Sequence, residues 1–219
     1  MSDSMQMSNA DRRYLPAAGR DAFLPFYDFI ARLLGADKAR RSLLQHAKLM
    51  PNERILDIGC GTGTFAVMAK QFYPSVDIVG LDPDPKALAR ASQKAEKARV
   101  SLRFDRGFAD SLGYPTDTFD SVFSSFMFHH LESSNREKTL REVVRVLKPG
   151  GRFLLLDFEA SDSGHGLMDL FHRTERLHDN SEDRILALMR QGGFSAYGKL
   201  ESIPVFWGLG RAGLYQATK

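Results

Sequence analysis

The chain has 219 residues, of which 43% are hydrophobic and 26% charged, and its formal net charge is +3. That length suits a single domain with a small cap, and the hydrophobic content is too high for general disorder. A single cysteine excludes an internal disulfide, residues 1–20 lack the apolar core of a signal peptide, and no apolar run is long enough to span a membrane. We therefore expect a cytoplasmic protein whose small net charge gives little reason to predict a nucleic-acid partner.

The N-terminal region is predicted to contain two helices after a frayed start. Residues 1–20 show no periodicity, whereas apolar residues in 21–34 recur with the spacing of an amphipathic helix. Gly35 ends that helix, and Asp37 is expected to cap a second one. We interpret residues 21–50 as a helical cap. Its basic cluster is expected to form a solvated face: Lys38, Arg40 and Arg41.

Short apolar runs alternate with helical patterns from residue 51 onward, as in a parallel sheet covered by helices on both faces. The predicted strands are residues 55–58, 76–81, 100–104, 119–123 and 153–158, and the predicted helices are residues 64–72, 85–98 and 136–147. Residues 105–118 are too polar for a crossover helix and are predicted to be mostly loop.

The C-terminal part follows a looser pattern. Residues 159–180 are interpreted as a variable insert on the substrate side, followed by a helix over 181–191. Two last strands, 197–203 and 213–218, are separated by a connector too short for a helical crossover, which predicts an antiparallel pair. The sequence thus predicts an α/β fold with a mostly parallel seven-stranded sheet, helices on both faces and a C-terminal antiparallel strand pair.

Residues 54–65, RILDIGCGTGTF, lead from a strand through a glycine-rich loop into a helix. Alternate glycines permit a sharp turn and close approach to a ligand, toward which the helix directs its N–H groups. Asp57 precedes the first glycine by two positions, where its charge would repel a pyrophosphate. Thr64 replaces the third glycine of the dinucleotide-binding pattern. The loop therefore favours a ligand with a cationic group over the alternative, the nicotinamide cofactor of an oxidoreductase.

Acidic residues also follow the next two predicted strands. Asp82, which precedes Pro83, can accept hydrogen bonds from both hydroxyls of a ribose. Asp110 can accept one from an exocyclic amine, and Phe108 or Leu112 can cover an aromatic base. One acid for an ammonium, one for a ribose and one for an adenine fit S-adenosylmethionine better than NAD.

Four segments in register resemble class I S-adenosylmethionine-dependent methyltransferases, in the branch of the ubiquinone/menaquinone C-methyltransferases and bacterial small-molecule methyltransferases. They are ILDIGCGTG (55–63), VGLDPDP (79–85), GFADSLGYPTDTFDSVFSSFMFHHL (107–131) and LREVVRVLKPGGRFLLLDF (140–158). The resemblance implies a Rossmann-like methyltransferase domain over residues 51–219, with S-adenosyl-L-methionine as cofactor and a small-molecule methyl acceptor as partner.

The resemblance also implies cofactor contacts, position by position. The methionine end falls to Asp57, Gly59, Cys60, Gly61 and Gly63, the ribose to Asp82 and Pro83, and the adenine to Phe108, Ala109 and Asp110. Ser125 and Phe126 would flank the methyl-transfer site. Tyr27 is a further candidate contact, because this family often folds its N-terminal region over the cofactor.

His129 and His130 follow the fourth predicted strand, where substrates bind, and are candidate general bases or acceptor contacts. The alternative is that one packs and the other caps. A base is needed only if the acceptor must lose a proton, because the sulfonium already activates its methyl group. No metal site is predicted, since adjacent side chains project differently and no third ligand has suitable spacing.

Aromatic and apolar residues in 21–34, 125–130 and the 159–180 insert favour a small apolar or aromatic acceptor. The segment Ser124-Ser125-Phe126-Met127 differs from the Asn/Asp-Pro-Pro-aromatic motif of methyltransferases that act on base amines. An RNA or protein methyltransferase and a non-catalytic cofactor-binding regulator are the alternatives. No residue pattern specifies an oligomeric state.

Overall fold

A computed structural model describes residues 35–160 and 180–219. The helices are α1 (Ala36–Ala47), α2 (Thr64–Phe72), α3 (Pro85–Lys97), α4 (Ser133–Val146) and α5 (Glu182–Gly192). The strands are β1 (Arg54–Ile58), β2 (Asp77–Asp82), β3 (Arg103–Arg106), β4 (Phe119–Ser125), β5 (Leu147–Phe158), β6 (Ala196–Val205) and β7 (Gly210–Thr218). Tyr27, the predicted helix over 21–34 and residues 161–179 of the predicted insert lie outside the described residues.

All seven strands form one sheet in the order β3-β2-β1-β4-β5-β7-β6. β1 to β5 are parallel to one another, whereas β7 is antiparallel to both β5 and β6. The predicted fold class and the antiparallel C-terminal pair are therefore confirmed. The strand order reverses between β1 and β4, which is the position where open α/β sheets bind ligands.

Alternate residues along each central strand pack against helices on opposite faces. Ile55 and Phe123 belong to one buried cluster with α1 and α2, whereas Leu56 and Val122 belong to a second with α4 and α5. Burial on both faces explains why these strands are almost continuously apolar. The helices thereby fix the sheet from both sides and leave the carboxyl ends of its parallel strands as the edge available for a site.

All seven strands differ from their predicted bounds at one end or both, and the reasons are clearest for β3 and β5. β3 begins three residues later and ends two residues later than predicted, and it pairs Leu81 with Asp105 and Asp82 with Arg106. It is an edge strand, so its side chains need not be apolar. β5 begins at Leu147 rather than at 153, because Leu147 already pairs with Phe119 before a bulge interrupts the register.

The N-terminal end of α1 also corrects two expectations. Gly35, in the left-handed region at φ 86°, is the N-cap, and Asp37 lies within the first turn, where it forms an ion pair with Arg40 at 3.2 Å. Arg40 is only 8% exposed, whereas Lys38 and Arg41 are exposed. The basic cluster is thus not one solvated face, because Arg40 shares the buried side of the helix with Leu43 and Leu44.

Candidate functional site

The glycine-rich loop after β1 is bound to the end of β2. The backbone N–H groups of Gly59 and Cys60 both donate to the carbonyl oxygen of Leu81, at 2.7 and 3.0 Å. Gly59, Gly61 and Gly63 all have positive φ, and a Cβ at Gly59 would lie 2.1 Å from Cγ of Met127. The loop therefore needs glycine for its conformation and, at Gly59, also for its contact with the segment that follows β4.

Asp57, near the end of β1, is a buried carboxyl group with an unsatisfied atom. Its side chain is 1% exposed, and Oδ2 has no hydrogen-bond partner among the described residues. Burial raises the pKa of Asp57 to about 8; the charge of Arg40 acts to lower it and that of Asp82 to raise it further. A buried carboxyl with an unsatisfied oxygen is costly, and a cationic ligand would satisfy it.

Arg40 brings a positive charge to the same place from α1. Its guanidinium lies 5.4 Å from the ring centre of Phe126, immediately after β4, and its charge acts on Asp57. A buried carboxyl and a buried guanidinium thus lie close together beside the glycine loop. This arrangement suits a ligand that carries both an ammonium and a carboxylate.

Asp82, the last residue of β2, organises the neighbouring turn. Its Oδ2 accepts a hydrogen bond from the N–H of Gly61, and its Oδ1 accepts one from the N–H of Asp84, both at 2.9 Å. Burial raises the pKa of Asp82 to about 6, although these two backbone N–H groups act to lower it. A carboxylate oxygen has a second lone pair, so both oxygens can still accept a hydroxyl donor.

The loop after β3 carries the predicted adenine contacts beside Asp82. The N–H of Gly107 donates to the carbonyl of Asp82 at 3.2 Å, and Phe108 forms an isolated bridge with Ser111. On its far side the loop is fixed by Arg145, whose guanidinium donates to the carbonyls of Leu112 and Tyr114 at 2.8 and 2.7 Å. Leu112 is buried in the core, which leaves Phe108, Ala109 and Asp110 as the partly exposed residues here.

The end of β4 is strained and aromatic. Phe126 adopts a left-handed φ of 56°, which is costly for a residue with a side chain, and its N–H donates to the carbonyl of Leu156 at 2.8 Å. Its ring lies 4.7 Å from that of Phe158, which in turn lies 5.5 Å from that of Phe206. Beside this aromatic cluster (Phe126, Phe158 and Phe206), the buried Oγ of Ser125 has no hydrogen-bond partner among the described residues.

His129 and His130 lie in a single 3₁₀ turn, Phe128–His130, directly after β4. His129 is 4% exposed and pairs with Asp157 of β5, with Nδ1 2.6 Å from Oδ1. His130 is partly exposed, and its ring centre lies 4.0 Å from that of His129. Both predicted candidates therefore lie at the carboxyl edge of the sheet, and His129 has an acidic partner.

Cys60 and Pro83 occupy supporting positions in the turns after β1 and β2. The thiol of Cys60 contacts Gly80, where an added Cβ would lie 2.9 Å from Sγ, and its pKa is raised well above the ordinary value by burial and then by Asp57 and Asp82. A raised pKa gives an unreactive thiol, as expected for a small filler. The carbonyl of Pro83 accepts a hydrogen bond from Arg106 at 3.2 Å.

The structure brings together most of the residues that the sequence singled out. They follow adjacent strands at one edge: Asp57, Gly59, Cys60, Gly61, Gly63, Asp82, Pro83, Phe108, Ala109, Asp110, Ser125, His129 and His130. Within residues 35–160 and 180–219, no group of acidic, His or Cys side chains could hold a metal ion, and no helix is long and apolar enough to cross a membrane.

Arg40 and Asp157 were missed, although the sequence carries a signal for each. Position 40 falls on the apolar stripe of α1, four residues after Ala36 and four before Leu44. Asp157 is the single acid in the apolar strand run FLLLDF. A charge on an apolar helix stripe or within a buried strand is costly, so each is a candidate for a functional role.

Comparisons with known proteins agree with the geometry. Residues 55–151 match the family described as "Methyltransferase domain". The chain is 39% identical over 187 residues to the demethylmenaquinone methyltransferase of Deinococcus radiodurans, covering 83% of this chain and 74% of that protein. It is 37% identical to the demethylmenaquinone methyltransferase of Thermus thermophilus, covering 83% and 81%.

A solved structure shows the same fold. The YcgJ protein of Bacillus subtilis superposes with a TM-score of 0.68 at 25% identity, covering 84% of this chain and 98% of that one. The curated relatives are similar over most of their own length, and the match includes the glycine-rich loop and the strands that surround it. The chain therefore belongs to the S-adenosylmethionine-dependent methyltransferases, in the branch that contains the demethylmenaquinone methyltransferases.

Proposed function

We propose that this methyltransferase acts on a small hydroxylated aromatic acceptor of the quinol type, by in-line attack on the methyl group of S-adenosylmethionine. The proposed binding of S-adenosylmethionine rests mainly on Asp57. This residue is a buried carboxyl with an unsatisfied oxygen, and it lies beside the glycine loop and the charge of Arg40. An ammonium would favour the ionised form of this carboxyl, and Arg40 would face a carboxylate, so an amino-acid group finds a partner for each of its charges.

The cofactor contacts follow from this placement. Asp57 would accept from the ammonium, Arg40 would donate to the carboxylate, and the glycine loop would lie along the methionine chain. The second lone pairs of Asp82 would accept the two ribose hydroxyls. Phe108, Ala109 and Asp110 would enclose the adenine, next to Asp82 through the hydrogen bond of Gly107.

S-adenosylmethionine, when bound, supplies a methyl group that its sulfonium has already activated. The chain's own task is therefore to orient an acceptor behind that methyl and to exclude water. Ser125 and the aromatic cluster are placed for this task. The oxygen of Ser125 is buried without a partner among the described residues, and the rings of Phe126 and Phe158 lie 4.7 Å apart beside it.

The acceptor class rests on the aromatic cluster and on the relatives. Aromatic side chains prefer offset or tilted contact with other rings, and the Phe126 and Phe158 planes are tilted by 37°. Two relatives are named for demethylmenaquinone. A fused aromatic ring with hydroxyl groups fits both observations.

The proposed binding of S-adenosylmethionine is tested with Asp82→Ala. Each of two hydrogen bonds to an ionised partner contributes roughly 1.5–3 kcal/mol, and about 1.4 kcal/mol corresponds to tenfold in affinity, so we expect the Kd for S-adenosylmethionine to rise well over tenfold. Asp120→Ala is the matched control, since this acid binds Lys148 at 2.6 Å at the opposite edge of the sheet. Calorimetric titration that gives both variants the wild-type Kd would contradict the placement of the ribose.

The proposed acceptor class is tested by incubating the protein with methyl-labelled S-adenosylmethionine and a 1,4-naphthohydroquinone that has an unsubstituted ring carbon. We expect label in the organic extract, on a product heavier by one methylene group. Label recovered instead in added RNA or protein would replace the small-molecule acceptor by one of those classes. No turnover on any of the three, with the cofactor bound, would leave only cofactor binding and contradict the proposed reaction.

A further inference from the structure

A buried His–Asp pair lies at the carboxyl edge of the sheet. Asp157 is 0% exposed, and its Oδ2 accepts the backbone N–H of His129 at 2.7 Å. Its Oδ1 lies 2.6 Å from Nδ1 of the same histidine and accepts the N–H of Phe158 at 2.8 Å. An ionised carboxylate only accepts hydrogen bonds, so Nδ1 must carry the proton of this contact and Nε2 is the basic nitrogen of the neutral ring.

The carboxylate is ionised despite its burial. Burial alone would raise the pKa of Asp157, but the charge and hydrogen bond of His129, with the backbone N–H groups of Phe158 and His129, bring it below its ordinary value. The pair thus resembles the Asp–His part of a catalytic triad. In such a pair the carboxylate fixes the tautomer of the histidine and stabilises the imidazolium.

The turn that carries His129 is fixed from several sides. Arg136 of α4, 1% exposed, donates to the carbonyl of Leu131 at 3.2 Å and lies over the ring of Phe128. The ring of His129 contacts the rings of His130 and Phe158 at 4.0 and 5.2 Å. The imidazole is therefore immobilised with its Nε2 side directed away from Asp157.

A purely structural bond between β4 and β5 does not account for this pair. The two strands already pair continuously from Ser121 with Arg152 to Ser125 with Leu156. A buried charge costs several kcal/mol of desolvation even when it is paired, so an apolar contact would join the strands at lower cost. The pair lies instead next to the reaction site, because Met127, two residues before His129, packs on Gly59 of the cofactor loop.

We propose that His129 is the general base of methyl transfer and that Asp157 is the residue that positions it; this rests on the function proposed above. The acceptor is then a ring carbon or hydroxyl that must lose a proton to keep its methyl group. The electron pair of the acceptor forms the new bond to the methyl carbon, and the pair of the broken carbon–sulfur bond stays on sulfur. The proton of the acceptor passes to Nε2 of His129, so no oxidant or other reactant is needed.

Asp157→Asn in the full chain is the first test. The amide cannot stabilise the imidazolium, so we expect kcat on the naphthohydroquinone to fall about 100-fold or more, while the Kd for S-adenosylmethionine is unchanged. The acidic limb of the kcat profile should change as well, because Asp157 is the acceptor that fixes the protonated nitrogen of His129. Asp120→Asn is the control and should keep the wild-type profile.

Charged or titratable groups contact His129 from its own turn and from two neighbouring elements, among them Asp157 of β5, His130 of the same turn and Arg136 of α4. His130 is the other histidine at the site, so its substitution by Gln is compared separately. If that change, and not Asp157→Asn, moved the acidic limb, the base would be His130.

A second variant covers the case in which Asp157→Asn does not fold. In His129→Ala, added imidazole should restore part of the lost turnover, which a structural histidine would not allow. The wild type gives a third test, because kcat must fall on the acidic side with a single ionisation. A flat wild-type profile, or Asp157→Asn with wild-type kcat and limb, would overturn the dyad and leave the methyltransferase reaction standing. No wild-type turnover at all would instead overturn the proposed function.

Discussion

Asp57 provides the most informative perturbation, because it links ligand binding to folding stability. Its buried carboxyl, with a pKa raised to about 8 mainly by burial, has an ordinary value of 3.8 when exposed. Between pH 3.8 and about pH 8, the folded protein therefore binds a proton that the unfolded chain has released. Asp57→Asn replaces the carboxyl by a neutral group of the same shape and removes this cost.

The sign and size of the effect follow from proton linkage. Since the pKa of Asp57 is higher in the folded state than in the unfolded state, this group lowers stability as the pH rises from about 4 to about 8. One pKa unit corresponds to about 1.4 kcal/mol. Between pH 5 and pH 7 the wild type should thus lose up to roughly 3 kcal/mol relative to Asp57→Asn, with relaxation of the pocket reducing this value.

Urea unfolding of both proteins at pH 5, 6 and 7 measures this difference. We expect Asp57→Asn to be the more stable protein at pH 7 and its advantage to shrink toward pH 5. Asp120→Asn is the control, because the pKa of Asp120 is lowered through Lys148 despite partial burial, so its contribution is constant across this range. Added S-adenosylmethionine should reverse the order by stabilising only the wild type. Parallel pH dependences, with the cofactor stabilising both proteins equally, would refute the reasoning.

The remaining predictions concern the walls of the same pocket. Arg40→Gln should raise the Kd for S-adenosylmethionine about tenfold, as expected for the loss of a charged hydrogen bond, but leave that for 5′-methylthioadenosine, which lacks the carboxylate, unchanged in calorimetric titration. Gly59→Ala should destabilise the protein by more than about 1 kcal/mol in urea unfolding, because the added Cβ meets Met127 and φ is +66°. Gly113→Ala has nothing within 4 Å and no positive φ, and it should be neutral or slightly stabilising; equal costs at both glycines would contradict the loop geometry.

The sequence was sufficient for most of the fold because the strong signals are local. The helix over Thr64–Phe72 was predicted at its observed bounds, and the short connector before Gly210 correctly indicated an antiparallel pair. Burial on both faces produced the continuous apolar runs of β1, β2 and β4. The predicted bounds of the edge strand β3 were displaced, since its side chains are exposed or only partly buried and give no such run.

The clustering of the proposed cofactor residues could also be predicted, because acids and glycines after parallel strands meet at one end of the sheet. What could not be predicted depends on contacts between distant segments. Arg40 is buried, lies over the ring of Phe126 and acts by its charge on Asp57, both on other elements, whereas its neighbours Lys38 and Arg41 are exposed. The spacing of the three basic residues along the chain did not show which of them is buried.

Asp157, near the end of β5, shows the same limitation of local patterns. Within the run FLLLDF it appears as one polar residue of a strand, and only the pairing of β4 with β5 brings it to His129, 28 positions earlier. The two histidines were singled out from their position after β4, but the sequence could not show which of them has an acidic partner. That partner lies on the neighbouring strand and not nearby in the chain.

A crystal structure of the protein with S-adenosylhomocysteine would show directly whether the cofactor binds beside the glycine loop. We expect its ammonium on Asp57, its carboxylate near Arg40 and its ribose hydroxyls on Asp82. The sulfur should face the segment with Ser125 and His129. A nucleoside bound elsewhere, or bound in this pocket with its ribose away from Asp82, would contradict it.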